Sequence, residues 1–287
     1  MRTPLLTLAL TATLALSACS TEQDMRAVDP AAGEASGSET LGPDPSQAPA
    51  PVPDGAVRTP GLVTVIDGGQ GPEMCLGAVA ESAPPQCSGP ALADFDWGQV
   101  GAQEAAGVRW GSYALTGTWD GTTFTVTDAI PAALYDAAAA PEVGGLKPAC
   151  EGAVATDPSR ATPEDMDATL AAASALPTYA TAWLSGQTIS VAVTGDAEAA
   201  EAAEAELRTT WGGLLCVTTV QRTDADLNAV NQELQAALSD RLLTSGSTAP
   251  DSLDAEVVYD DGSIQDWADT TWGDGLVRVT SALLPAS

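Results

Sequence analysis

Thr209 to Thr218 read "TTWGGLLCVT", and sixty-one residues on, Thr270 to Thr280 read "TTWGDGLVRVT", the same phrase with one residue inserted. A phrase repeated at that distance means a repeated structural unit, and no other feature restricts the fold as strongly. In the first copy "TISVAVTGD" alternates as a strand with Ile189, Val191 and Val193 on one face. Gly195-Asp196 supplies a turn and cap for the helix former "AEAAEAAEAELRTTW", and "LLCVTTV" is the returning strand. Gly212-Gly213 is expected to stop the helix by taking the left-handed conformation. The second copy keeps the order: "AEVVYD" as strand, Asp261-Gly262-Ser263 as cap, "IQDWADTTW" as helix, Gly273 as stop, "LVRVTSAL" as strand. Trp211 and Trp272 are expected to pack the end of each helix onto the sheet. Between the copies, Thr223 to Asp226 form a capping box before a helix with Leu227, Val230, Leu234, Leu238 and Leu242 along one side. Two βαβ units sharing one sheet imply a ferredoxin-like α/β domain over 179–287.

The 61–130 region reads as strands: "GLVTVID", "CLGAVAES", "VRWGSYALTGTW" and "TTFTVTDAI", with Asp120-Gly121 marking a hairpin turn. The inward stripe is expected to hold Trp110, Tyr113 or Leu115, Phe124 and Val126, as the core of a small β-barrel or sandwich. Residues 131–178 form a connector whose helix opens at Thr162-Pro163-Glu164-Asp165, with Met166, Leu170 and Ala173 on one side. The fold class is therefore α+β. The runs "GPEMCLGAVAESAPPQCSGP", "FDW" and "ALTGTWDGTTFTVTDA" resemble a recurrent pattern in secreted actinobacterial proteins of unassigned activity. A looser version of that pattern continues through the C-terminal part.

Met1-Arg2 precedes an apolar run from Leu5 to Leu16, too short to span a bilayer as a permanent helix, and small residues follow it. That describes an export signal over 1–18. Leu16-Ser17-Ala18-Cys19 also resembles the lipobox of bacterial lipoproteins, a resemblance that implies cleavage before Cys19 and a lipid anchor on its thiol, on the outer face of a cell membrane. The competing reading is an ordinary secretory signal. Lipidation of Cys19 would leave four of the five cysteines, an even number suited to an oxidising compartment. Cys75 and Cys87 flank a short segment turned by Pro84-Pro85 and are expected to pair locally, which leaves Cys150 for Cys216. A structural zinc site competes for these thiols, against the lack of any C-x-x-C knuckle. Residues 19–60, rich in proline, acids and small residues and free of aromatics, read as a disordered tether reaching roughly 35 Å.

The chain has 39 acidic residues against 10 basic ones, a single lysine and no histidine, for a net charge of −29. Phosphate recognition needs clustered Lys and Arg, so nucleic acid is not an expected partner. Without histidine the usual base for a Ser or Cys nucleophile and the commonest metal ligand are missing, so no metal or other cofactor is expected. "DADLN" at 224–228 matches the start of a calcium loop, but Ala229 stands where glycine is needed and Gln235 where a bidentate Glu belongs; it reads as a helix cap. "IDGGQG" at 66–71 lacks the Lys and hydroxyl of a phosphate loop. Paired carboxylates are the remaining catalytic style, with Asp94, Asp96 and Glu104 as candidates for hydrolysis of cell-wall glycan. The leading expectation is a non-enzymatic lipoprotein that displays its domains to an envelope or protein partner. A protease-propeptide-like inhibitor module is a third reading, by fold analogy alone.

Overall fold

The computed structural model describes residues 47–136 and 146–286; the expected export signal, Cys19 and the expected tether up to residue 46 lie outside them. No helix among the described residues is long and apolar enough to cross a membrane.

The first half is built from β1 (Val57–Arg58), β2 (Val63–Asp67), β3 (Glu73–Cys75), β4 (Ala91–Ala93), the short helix α1 (Trp97–Val100), β5 (Gln103–Ala105), β6 (Val108–Trp119) and β7 (Thr123–Pro131). Alternation along β6 drives Tyr113, Leu115 and Trp119 inward to meet Phe124, Val65 and Met74. The Asp120 carboxylate accepts from the amides of Thr122 and Thr123, which fixes the hairpin between β6 and β7. Long β6 pairs with β2 along one edge and β7 along the other, and β2, β3, β4 and β7 pair in succession. The sheet thus partly closes on itself, with a register shift at Thr116/Gly117 where β6 bends.

Two expectations fail here. "CLGAVAES" is not a strand: β3 ends at Cys75, and the rest is a loop held by the Ala80↔Gln86 bridge and the Cys75–Cys87 disulfide. Trp110 lies on the opposite face from Tyr113 and stays half-buried, because its even position puts it out of phase with the inward set.

The second half consists of α2 (Pro163–Ser174), β8 (Tyr179–Ser185), β9 (Thr188–Thr194), α3 (Ala197–Leu207) and β10 (Leu215–Val220), then α4 (Asp224–Leu238), β11 (Leu242–Ala249), β12 (Ser252–Val257), α5 (Ser263–Trp272) and β13 (Val277–Ser281). The order helix-strand-strand-helix-strand is stated twice. Both leading helices open with a threonine-aspartate capping box, Thr162 with Asp165 and Thr223 with Asp226. The repeat is therefore longer than the βαβ unit expected, and the "connector" helix is its first element.

The expected shared ferredoxin-like sheet is not formed. There are two three-stranded sheets, β10-β9-β8 and β11-β12-β13. In each, the middle strand pairs in parallel with the strand after the helix and antiparallel with its own hairpin partner. Both edges of β9 and of β12 are thereby used, so the two units cannot interleave. Ile189, Val191 and Val193 pack with Ala203, Leu207 and Trp211; Leu253, Ala255 and Val257 pack with Leu234, Leu238, Ile264 and Trp267.

The chain's last strand, β14 (Leu284–Pro285), pairs with β1 in the first sheet, while Val258, Ala282 and Leu283 join the core beneath it. β1 lies within the stretch expected to be tether, yet Val57 is fully buried between β14 and β6. Arg241 binds the carbonyls of Ala48 and Pro49, so residues 48–49 pack on the second repeat. All described residues belong to one compact unit.

Candidate functional site

The carboxylates singled out for catalysis have separate placements. Asp96 caps α1, accepting from the Gly98 amide at 2.8 Å and the Gln99 side chain at 2.9 Å. The Gln99 contact, followed by the Gly98 amide, holds its carboxyl below the ordinary range. Asp94 is exposed at a φ of 59°, and Glu104 is exposed on β5 opposite Arg109. The open cavities of about 720, 490 and 260 Å³ are lined by other residues. The aromatic members of "DFDW" are structural: Phe95 meets Trp97 edge-on at 4.8 Å and Tyr113 at 5.3 Å, and the Arg109 guanidinium lies 5.5 Å from the Trp97 ring. Arg109 also pairs with Asp67 at 3.0 Å; Asp67 turns "IDGGQG" through the amides of Gly69 and Gly71.

"DADLN" is the first turn of α4, with the Asp226 carboxylate accepting from the amide and hydroxyl of Thr223. No group of three or more metal-binding side chains occurs among the described residues.

The four cysteines stand as Cys75–Cys87, with Cα atoms 5.7 Å apart, and Cys150–Cys216, with Cα atoms 5.6 Å apart. The second bond holds a strap over the face of the first repeat's sheet that turns away from its helices. Along the strap the Ala149 amide donates to the Ser190 hydroxyl, and the Trp183 indole donates to the Lys147 carbonyl. β9 is thus covered on both sides, which is why Thr188, Ser190 and Ala192 are buried along with the expected apolar set.

The glycines after the two tryptophans do different work. Gly273 ends α5 at a φ of 101°, where an L side chain is strained. Gly212 does not have a positive φ; a Cβ there would lie 2.0 Å from the Asp157 carbonyl oxygen. The Gly212 carbonyl accepts from Thr156 and Asp157 while its amide donates to Arg160, so two chains cross at backbone contact. The left-handed expectation fails there, and close approach takes its place.

Two concavities could receive a ligand. The larger, about 720 Å³, lies between the first sheet and β11 and includes Leu76, Trp119, Leu243 and Val258. Residues 49–52 border it, through Pro49 on Arg241 and Val52 beside Gly121. The other, about 490 Å³, is an apolar corner of the first repeat among Pro163 and Met166 of α2, Leu184 at the end of β8, and Trp211. Leu184 is 49% exposed there, although its strand neighbours Ala182 and Trp183 are half-buried. Neither Leu184 nor this corner was marked by the sequence. Two of its walls, Met166 and Trp211, are residues that the sequence placed on the inner side of one helix and at the end of another. No family model, no curated protein and no solved structure matches the chain.

Proposed function

We propose that the protein is a lipid-anchored lipoprotein of the extracytoplasmic membrane face, whose folded part binds a protein of the cell envelope. The observation that carries the binding role is the open apolar corner at Met166, Leu184 and Trp211, a concave site walled by regular elements. The anchor rests on Leu16-Ser17-Ala18-Cys19 and the proline-rich stretch after it. Two disulfides suit an oxidising compartment. A net charge of −29 favours partners with basic surfaces.

Two experiments test this reading. Cys19→Ser should move the protein out of the membrane fraction or leave it unprocessed; wild-type protein free in the medium with an unmodified Cys19 refutes the anchor. A photo-crosslinking amino acid placed at Leu184 in intact cells should give discrete protein adducts that the same label at Val79, another exposed apolar residue, does not give. Identical labelling at both sites refutes the binding role.

A further inference from the structure

The two three-stranded sheets end differently at the strand that follows each helix. In the second repeat the Leu253 amide donates to the Leu276 carbonyl, so Leu276, Arg278 and Thr280 carry the ladder to β12 while Val277 and Val279 turn their backbone groups outward. One side chain closes that outer edge. The carboxamide of Gln265 on α5 donates to the Val277 carbonyl at 2.9 Å and accepts from the Val279 amide at 2.8 Å; it also donates to the Asp269 carboxylate at 3.1 Å. A primary amide that gives and takes a bond along a strand stands in for the peptide group of a neighbouring strand.

The first repeat lacks that plug. Counted back from Trp211 and Trp272, Glu204 stands where Gln265 stands, and Arg208 where Asp269 stands. Glu204 has no N–H to donate, and its carboxylate accepts from Arg208, whose guanidinium also bonds the Gly213 and Val154 carbonyls. The Ile189 amide donates to the Leu214 carbonyl, so residues 214, 216, 218 and 220 carry the ladder to β9, and Leu215, Val217 and Thr219 face outward. Leu215 is buried, and the chain from Cys150 to Asp157 is tied across that end of β10 by the disulfide to Cys216 and by the Thr156 and Asp157 amides on the Gly212 carbonyl. Beyond it Val217 is half-buried and Thr219 exposed, and among the described residues nothing bonds their outward amides and carbonyls.

A row of alternating N–H and C=O groups is complementary to another extended chain. Charge narrows which chain. Glu198, Glu201 and Glu204 follow one another at intervals of three along α3, where the second repeat has Tyr259, Gly262 and Gln265; Glu198 and Glu201 are exposed. A second copy added edge to edge about a two-fold axis would set this acidic column against its own image, whereas a basic segment complements it.

We propose that the outer edge of β10 from Val217 to Val220 takes an extended segment of a partner protein as a fourth strand of the first repeat's sheet, with lysine or arginine on the side that faces α3. This edge is a surface distinct from the corner at Leu184 and does not rest on it.

The test reads backbone amides of the full mature chain by hydrogen exchange under NMR. In the free protein the Val217 and Thr219 amides should exchange roughly tenfold or more faster than those of Cys216 and Thr218, whereas Val279 should exchange as slowly as Arg278. The probe is the synthetic peptide Lys-Val-Lys-Val-Lys-Val-Lys, with an expected Kd on the order of 100 μM. At saturation it should slow Val217 and Thr219 roughly tenfold or more. Two versions N-methylated at alternate positions should differ, one losing binding and the other keeping it, because only every second amide of an added strand meets the edge. Glu204→Gln with Arg208→Asp copies the Gln265 and Asp269 pair into the first repeat and should abolish binding. Glu201→Lys, at an exposed site, should weaken it roughly fivefold and serves as the second variant should the double one unfold, as read from its circular dichroism. Slow Val217 and Thr219 amides in the free chain, no protection by saturating peptide, equal effects of the two N-methylated versions, or equal binding by a peptide with glutamate in place of lysine overturns the proposal. Protection that grows with protein concentration in the absence of peptide also overturns it, since the occupant would then be a second copy. Leu184→Asp should leave peptide binding unchanged; a loss there would move the peptide to the corner and overturn the edge, while failure at the edge leaves the corner's crosslinking result standing.

Discussion

Single residues carry more constraint in this chain than their types announce. Gly212 and Gly273 follow equivalent tryptophans, yet the first is fixed by the Asp157 carbonyl 2.0 Å from its would-be Cβ and the second by a φ of 101°. Alanine at 212 must push two backbones apart, so a loss of about 2 kcal/mol or more is expected by denaturant unfolding. Alanine at 273 meets open space and should cost about 1 kcal/mol, the strain of its conformation alone. Equal losses would show that the two glycines share one role after all. Asp67 makes the pH dependence explicit. The Gly69 amide, then the Gly71 amide and Arg109, hold its carboxyl below the ordinary aspartate range against the opposing effect of burial. A depressed folded-state value stabilises the fold above the unfolded-state value near 4 and is lost as pH falls through the lower, folded-state one. The thermal midpoint should fall over that acid window, and Asp67→Asn should flatten the fall while lowering the midpoint at neutral pH.

Among elements, the informative comparison is between the disulfides. Cys75–Cys87 closes a separation of 12 residues within one loop, and Cys150–Cys216 closes 66, stapling the 146–150 strap to β10. By loop entropy the bonds are worth about 3 and about 4 kcal/mol respectively. Cys150→Ser with Cys216→Ser should therefore lower stability more than Cys75→Ser with Cys87→Ser. It should also speed hydrogen exchange of the β9 amides beneath the strap, while the other double variant leaves β9 protected. The Cys75–Cys87 pairing, the capping boxes of α2 and α4 and the β6–β7 turn were legible because each is a short-range relation among neighbouring residues, and Cys150–Cys216 followed only as the pair left over. The failure of "CLGAVAES" as a strand was not legible, since its alternation has no partner strand to satisfy it. The open corner was half legible: the sequence placed Met166 on the inner side of α2 and Trp211 at the end of the next helix, but that Leu184 of β8 joins them depends on the tertiary path of β8.

At the scale of the molecule, the C-terminal strand returns to the first sheet. Leu283 is buried in the core under β6, and β14 covers the outer edge of β1. Removing residues 284–287 should lower the unfolding midpoint of the whole molecule while preserving a single transition, because the first sheet and the second repeat share the cluster that contains Leu243, Val258 and Leu283. Two separable transitions in the intact chain would contradict that coupling. The sequence by itself determined the α+β class, the β6–β7 hairpin, the starts of α2 to α5, the Cys75–Cys87 pairing and the existence of a repeat, all relations within a few residues or between near-identical phrases, with Cys150–Cys216 left by elimination. The separation of the repeats into two sheets, the strap that covers the second face of β9 and the β1–β14 clasp were decided by tertiary structure. The physical reason is that a strand edge or an apolar face is satisfied by whichever segment reaches it first in space, and no local pattern records which segment that is.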